Sequence, residues 1–435
     1  MKRSRWFLAL GALAATLGVY GLHNAGANAQ GSSPARFRVW LVGAQDTSKQ
    51  IEKALTAGAA KLGTKLEFAQ NVSGDKLLAA IQGGDPPELV LEADPGTMGT
   101  LTREGLTENL DPLIKTGGVN VKDIVPATLG QCTYYGHLYC LPWGTDTLAL
   151  LWNRDAFKAA GLPDRAPTTL EELVSFSKKL TKTDAQGNVT QLGFVPNYAW
   201  SHTDIYSMLF GGNFYSSDGK RVTIATAPVQ QALEWQAQFY TVPGVDKVDR
   251  IRSGFGDGAQ DGFIAGKVAM GVNGEWLPSL IKDSRPSLRY GVAPIPYPAA
   301  HPERKNLTVL GGTVAFIPSN VKDKAFAWRF MSYLQTPKVV ADTMIAGGNI
   351  PTSLQALNDP RLRQDKQFAA FVDLTKSPNA KPFPVSLVGA ELATQFGPIE
   401  EKAIRGKLPD LKKQLEALQT SLQTQLTSAL QSPPK

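Results

Sequence analysis

The sequence predicts an α/β fold in two lobes, and three observations carry that expectation. A chain of 435 residues has room for two separate cores. From residue 36 to residue 91 the apolar pattern alternates between strand and helix, as in a parallel sheet. Three later segments, 144–148, 290–295 and the glycine-rich 347–351, read as crossings between lobes. Each lobe is then discontinuous: 36–145 with 291–347, and 146–290 with 348–432.

The first 29 residues stand apart. Lys2, Arg3 and Arg5 precede an apolar run from Trp6 to Tyr20, and Ala27-Asn28-Ala29 gives a small-residue cleavage site before Gln30. This reads as a secretory signal peptide. No cysteine lies near the cleavage point, so a lipid anchor is not expected and the mature chain should be free in a periplasmic or extracellular space. Losing those three cations lowers the formal charge of +7, and the remaining excess is spread along the chain. No basic run interleaved with aromatics suggests nucleic acid.

Within the first lobe, Arg36–Val42 is the first strand. Ile51, Leu55, Gly58, Ala59 and Leu62 fall at helical spacing, and 65–68 is a second strand. A helix at 76–81 stops at Gly83-Gly84, and Pro86-Pro87 leads into a strand at 88–91. In such sheets ligand groups gather beyond the carboxyl ends of the strands. Gln45 and Asp46 occupy one such position, and Glu92 and Asp94 another.

The stretch from Gly136 to Leu180 is the most informative. Trp143 and Asp146 precede a short apolar run at 148–152 that lacks helical spacing, hence a buried strand. A short helix at 156–160 ends at Gly161 and Pro163. Thr168 and Thr169 with Glu171 and Glu172 form an N-cap region for a helix reaching Leu180. Cys132 and Cys140, the two cysteines of the chain, are expected to be bonded in an oxidising compartment, closing a short loop.

Farther on, Gly211–Tyr215 and Asp218-Gly219 mark a turn, and a helix spans 227–240. A strand at 268–272 leads to Gly274 and Trp276, where glycine lets the backbone turn and the indole face a ligand. Gly311-Gly312-Thr313 opens a strand at 314–317, followed by a helix at 325–334. Leu411, Leu415, Leu418, Leu422 and Leu426 line one side of a C-terminal helix, expected to pack on the second lobe.

This order resembles the extracellular solute-binding proteins of ABC importers, in the sugar-binding, maltose-binding-protein-like branch. The resemblance is carried by Gly136/Tyr139/Leu141/Pro142, Asp146, Trp152-Asn153 with Phe157 and Gly161-Leu162, and Pro167/Thr169/Glu172-Leu173. It continues in Gly83-Gly84-Asp85-Pro86-Pro87-Glu88-Leu89 and in Phe263, Gly266, Ala269-Met270, Gly274 and Trp276. Trp152 and Glu88 stand where the family has Tyr and Asp. The resemblance implies a type II periplasmic-binding-protein fold with a three-segment hinge, a carbohydrate ligand, and a membrane permease as partner.

A sugar offers hydroxyl fans and weakly apolar C–H faces, so its site needs flat rings and carboxylates or amides. The candidates are Trp143, Asp146 and Trp276, then Glu92, Asp94, Asp46, Gln45, Tyr198, Trp200, Asn213, Gly312 and Thr313. Core packing, capping or a solvated loop is the alternative for each. Catalysis lacks support: His137, His202 and His301 have no metal-ligand spacing, and neither a Gly-x-Ser-x-Gly elbow nor a phosphate-cradling Gly-x-x-x-x-Gly-Lys run occurs. No cofactor or metal is expected, and the chain should act as a monomer. The rival readings are a binding protein for a glycerol phosphate or another polar metabolite, and a secreted glycan-degrading enzyme.

Overall fold

A computed structural model describes residues 33–43, 49–198 and 201–433. Two five-stranded sheets dominate it. The first runs in the order Lys65–Val72, Arg36–Val42, Leu89–Glu92, Val314–Phe316, Leu141–Pro142. Its first three strands are parallel, and Val314–Phe316 runs antiparallel to both of its neighbours. The second sheet runs Tyr290–Ala293, Leu148–Asn153, Val268–Gly274, Val189–Phe194, Lys182–Thr183. The two-lobe α/β expectation therefore holds.

Local chemistry accounts for the element ends. The Leu148–Asn153 strand is buried along its length except at Trp152, as an unbroken apolar run between layers should be. Asn153 then caps the next helix, its side-chain oxygen accepting the N–H groups of Asp155 and Ala156. At the Leu170–Leu180 helix, Thr169 Oγ1 accepts from the Glu172 N–H at 3.2 Å. The Glu172 carboxylate reaches back to the Thr168 N–H at 2.7 Å, a capping box displaced by one residue. The helix Lys324–Leu334 lays Phe326, Phe330, Met331 and Leu334 on the first sheet, where the Phe37 and Phe330 rings stack at 4.4 Å.

The ends that matter face one another. In the first sheet Val42 pairs with Glu92, and Glu92 with Val314, so Gly43, Glu92 and Thr313 share one rim. In the second, Gly274 pairs with Leu148, so Asp146, Thr147, Glu275 and Trp276 share another.

Two of the expected crossings differ from the structure. Tyr290–Ala293 is an edge strand of the second sheet, paired with Leu148–Asn153; its alternation is real, but it serves the sheet it follows. The crossing instead uses residues 308–313. Ile350–Pro351 pairs with Gly144–Thr145, and the Thr352 carbonyl accepts from the Val125 N–H, so the chain stays on the first-lobe side through that turn. It reaches the second sheet only with the helix Lys366–Thr375.

The crossing backbones are stitched directly together. Asp146 and Gly311 exchange N–H···O bonds of 3.4 and 3.2 Å, and Thr308 Oγ1 both accepts from the Leu148 N–H and donates to its carbonyl. Gly312 has φ +108°, and a Cβ there would lie 2.4 Å from the Gly144 carbonyl oxygen. Gly312→Ala combines a forbidden backbone with a clash against another backbone and should cost roughly 2–4 kcal/mol of stability. Urea denaturation measures it; a loss under about 0.5 kcal/mol would contradict the close packing.

Candidate functional site

The rims hold an acidic pair. Glu275 is fully buried and its Oε2 accepts the Thr147 N–H at 2.8 Å. Its Oε1 has no conventional donor, and its neighbour is the carboxyl of half-buried Asp146, with which it shares a hydrogen bond. Two carboxylate oxygens cannot bond without a proton between them. Burial and the Asp146 charge drive Glu275 well above the usual carboxylate range, whereas Asp146 is pushed by burial to about 6 and drawn back by the shared bond. Glu275 therefore carries the proton and donates it to Asp146.

Beside it, Trp276 is half-buried at the start of the Leu277–Ser284 helix. Its ring folds back over Gly274, where a Cβ would meet it at 1.9 Å, so only glycine at 274 allows this pose. Across the cleft, Glu92 is buried and its Oε1 accepts the Asp94 N–H at 3.0 Å. Burial pushes it up to about 7, against the pull of that N–H. Asp94 is exposed and caps the next turn through the Gly96 N–H at 2.9 Å.

The structure brings Asp146, Trp276, Glu92, Asp94, Gly312 and Thr313 to these rims, although Gly312 and Thr313 serve through their backbones: the Thr313 carbonyl accepts from Trp143 and Gly144. Trp143 departs from expectation. It is fully buried in the first lobe, with its indole N–H on the Leu334 carbonyl at 3.2 Å. Strand parity explains this, because Leu141 and Trp143 project to the same face, under the Lys324–Leu334 helix. Tyr198 also turns inward: its hydroxyl donates to Asp261 and accepts the Phe263 N–H at 3.1 Å, tying a second-lobe turn. Asn213 lies exposed, its Oδ1 holding the Phe214 N–H. Gln45, Asp46 and Trp200 lie outside the described residues, as does the segment 1–29 expected to be a signal peptide. Cys132 and Cys140 are bonded.

The protein-family comparison matches residues 49–370 to the bacterial extracellular solute-binding proteins. The chain belongs to that family. Among relatives of this solute-binding protein, a maltotriose-binding protein from Pyrococcus abyssi is 24% identical over 301 residues, 68% of this chain and 61% of the relative. The sn-glycerol-3-phosphate-binding periplasmic protein UgpB from Salmonella typhimurium is 24% identical over 331 residues, 74% of each chain. A solved structure of CpMnBP1 with mannotriose bound superposes with a TM-score of 0.80 at 25% identity, covering 89% of this chain and 99% of that one. The fold is shared as well with a solute-binding protein from Thermotoga lettingae bound with α-D-tagatose (TM-score 0.74, 23% identity, 90% and 100% covered).

Near these rims the structure also gathers residues that the sequence reading passed over. Phe383 is half-buried between Gly96 and Gly311, at 3.8 Å from a Cβ placed on either. Tyr215 is buried within electrostatic reach of Tyr134, Asp204 and Glu391, so groups from both lobes converge there. Several buried polar atoms on these segments have no partner: both amide atoms of Gln131, Asp204 Oδ1, Glu391 Oε2 and Thr145 Oγ1. Pro382-Phe383-Pro384 was the available signal, a ring held between two prolines in irregular chain. Glu275 sat inside the quoted Gly274–Trp276 motif as its unspecified middle residue.

Two outcomes test this geometry. Trp143→Ala should cost about 3–5 kcal/mol, the usual price of a core tryptophan, in denaturant titration; a near-neutral change would return it to the cleft. For the acid pair, folded pKa values lie above the ordinary 3.8 and 4.5, so the stability from keeping these groups neutral is full below about pH 4. It is lost as pH rises through about 6 for Asp146 and through the raised range of Glu275. Glu275→Gln should therefore gain stability over the parent at pH 8 and little at pH 4; parallel pH profiles would exclude the shared proton.

Proposed function

We propose that the protein captures an uncharged carbohydrate, a mono- or oligosaccharide, between its lobes and delivers it to the membrane permease of an ABC importer. The observation that carries this is the grouping of Asp146, Glu275 and Trp276 at the strand ends of one sheet and of Glu92 and Asp94 at those of the other, with the Phe383 ring between Gly96 and Gly311. Hydroxyl donors suit carboxylate acceptors, each such bond contributing about 1.5–3 kcal/mol. A few of them with one or two stacked rings reach the roughly 8 kcal/mol of a micromolar complex. Ligand bridging the rims favours the closed arrangement, which is the form a permease can read. In this reading residues 1–29 direct export, and the protein acts as a monomer outside the cytoplasmic membrane.

The second reading, sn-glycerol 3-phosphate, is favoured by the UgpB relatives. The site chemistry argues against it. A phosphate needs cations, and Arg103, whose guanidinium lies beside Glu391, is already engaged by that carboxylate at 2.8 Å and by the Leu387 carbonyl at 2.8 Å. Acids dominate what remains.

Thermal melting of the purified protein with maltotriose, mannotriose, simple hexoses and sn-glycerol 3-phosphate separates the two, since a ligand that binds only the folded chain raises its melting temperature. A sugar is expected to give the shift, and Trp276→Ala should weaken that sugar at least tenfold in calorimetric titration. A shift with the phosphate alone would replace the carbohydrate reading.

A further inference from the structure

The two lobes also meet away from the crossings, where one helix is fastened to both. By its packing the helix Gly389–Ile404 belongs to the second lobe. It lies on the helix Ala227–Thr241, whose Phe239 ring meets Phe194 of the second sheet at 5.1 Å. Phe396 meets the Phe214 ring at 4.9 Å, the Glu400 carboxylate accepts the Thr203 N–H at 3.1 Å, and Arg405 pairs with Asp249 at 2.9 Å.

Its amino end is held by the other lobe. The short helix Met98–Arg103 follows the first-sheet strand Leu89–Glu92. The chain beyond it is tied down on the same lobe, with the Glu108 N–H on the Ile317 carbonyl at 2.8 Å and the Ser319 N–H on the Leu106 carbonyl at 3.0 Å. From this helix Arg103 pairs with Glu391 at 2.8 Å and donates to the Leu387 carbonyl at 2.8 Å, with Glu104 as the other acid beside it at 3.6 Å. The backbones touch as well. A Cβ on Gly99 would lie 1.9 Å from the Ser386 carbonyl oxygen, and one on Gly389 would lie 2.9 Å from the Gly96 carbonyl oxygen. Glycine at both positions lets main chain meet main chain.

We infer that the 386–391 turn, with Gly99 and Arg103, is a clasp that closes with the lobes, so that these residues set the affinity without touching the ligand. The inference rests on the carbohydrate reading for its probes. None of the contacts needs a ligand atom, and a lobe that swings away on the crossings breaks all of them together. A contact confined to one of two arrangements raises that arrangement's share of the population, and the apparent affinity scales with that share.

The test compares Gly99→Ala, Arg103→Ala, Glu391→Ala and the double variant Arg103→Ala/Glu391→Ala with the parent. Mannotriose, maltotriose, D-glucose and D-mannose are the probes, in calorimetric titration and in stopped-flow measurement of binding and release. Gly99 has ordinary helical backbone, where alanine is the better residue, so Gly99→Ala injures only the contact across the lobes. It should leave the free protein's melting temperature unchanged and weaken the sugar that binds the parent at least tenfold, through faster release at an unchanged association rate. Arg103→Ala and Glu391→Ala should each weaken binding several-fold, and the double variant no more than the weaker of the two. Parent affinity in Gly99→Ala would overturn the clasp and leave the carbohydrate reading intact. A free Gly99→Ala protein melting several degrees lower would reveal a permanent interface and overturn it equally. Losses that multiply in the double variant would remove the ion pair from the clasp. No binding of any of the four sugars to the parent would overturn the carbohydrate reading and this inference together.

Discussion

The architecture depends on how closely two crossing segments and the neighbouring 350–351 strand approach one another. Residues 144–147, 308–313 and 350–351 pair as short strands, and Gly312 leaves no volume for a side chain between Gly144 and Asp146. Backbone hydrogen bonds set the mutual orientation of the segments, and these do not depend on side-chain rotamers. Asp146, Glu275, Trp276 and Glu92 all lie within a few residues of such a crossing or at a strand end paired to it. The site is precise because its base is main chain.

On that base sits a charge pattern that runs against ordinary surface design. Glu92, Asp146 and Glu275 are all held above their ordinary ionisation range by burial. Stability alone would favour removing one acid of the Asp146–Glu275 pair. Its retention fits a site that accepts hydroxyl donors when occupied and holds a proton when not. Arg103 shows the opposite arrangement, with its charge matched on the spot by Glu391.

Much of the fold was legible in the sequence, for physical reasons. The 148–153 strand, the Thr169 cap and the one-sided leucine helix follow from periodicity and capping chemistry, which are local. Asp146 and Trp276 were legible because strand ends and a glycine turn constrain where a side chain goes. Trp143 was misread because its face is decided by a helix nearly two hundred residues later, whose Leu334 carbonyl takes its indole N–H. Phe383 and Glu275 escaped notice because their importance is relational: burial beside a second acid, or a position between two remote glycines, exists only once distant segments meet. The crossings shifted for the same reason, since 290–293 has strand character whichever sheet receives it.

The last helix, Leu411–Gln431, does more than cover apolar surface. Gln419 and Gln423 accept the N–H groups of Ala225 and Val222, and the Ala429 carbonyl takes the Tyr135 hydroxyl, 294 residues upstream. The disulfide-bearing hairpin and the 222–225 turn are thus completed by residues about two to three hundred positions downstream. Assembly of such a topology is dominated by remote pairings and is correspondingly slow. A nascent chain emerging in order from its amino end waits, with two of its turns unsealed, until this helix arrives to close them.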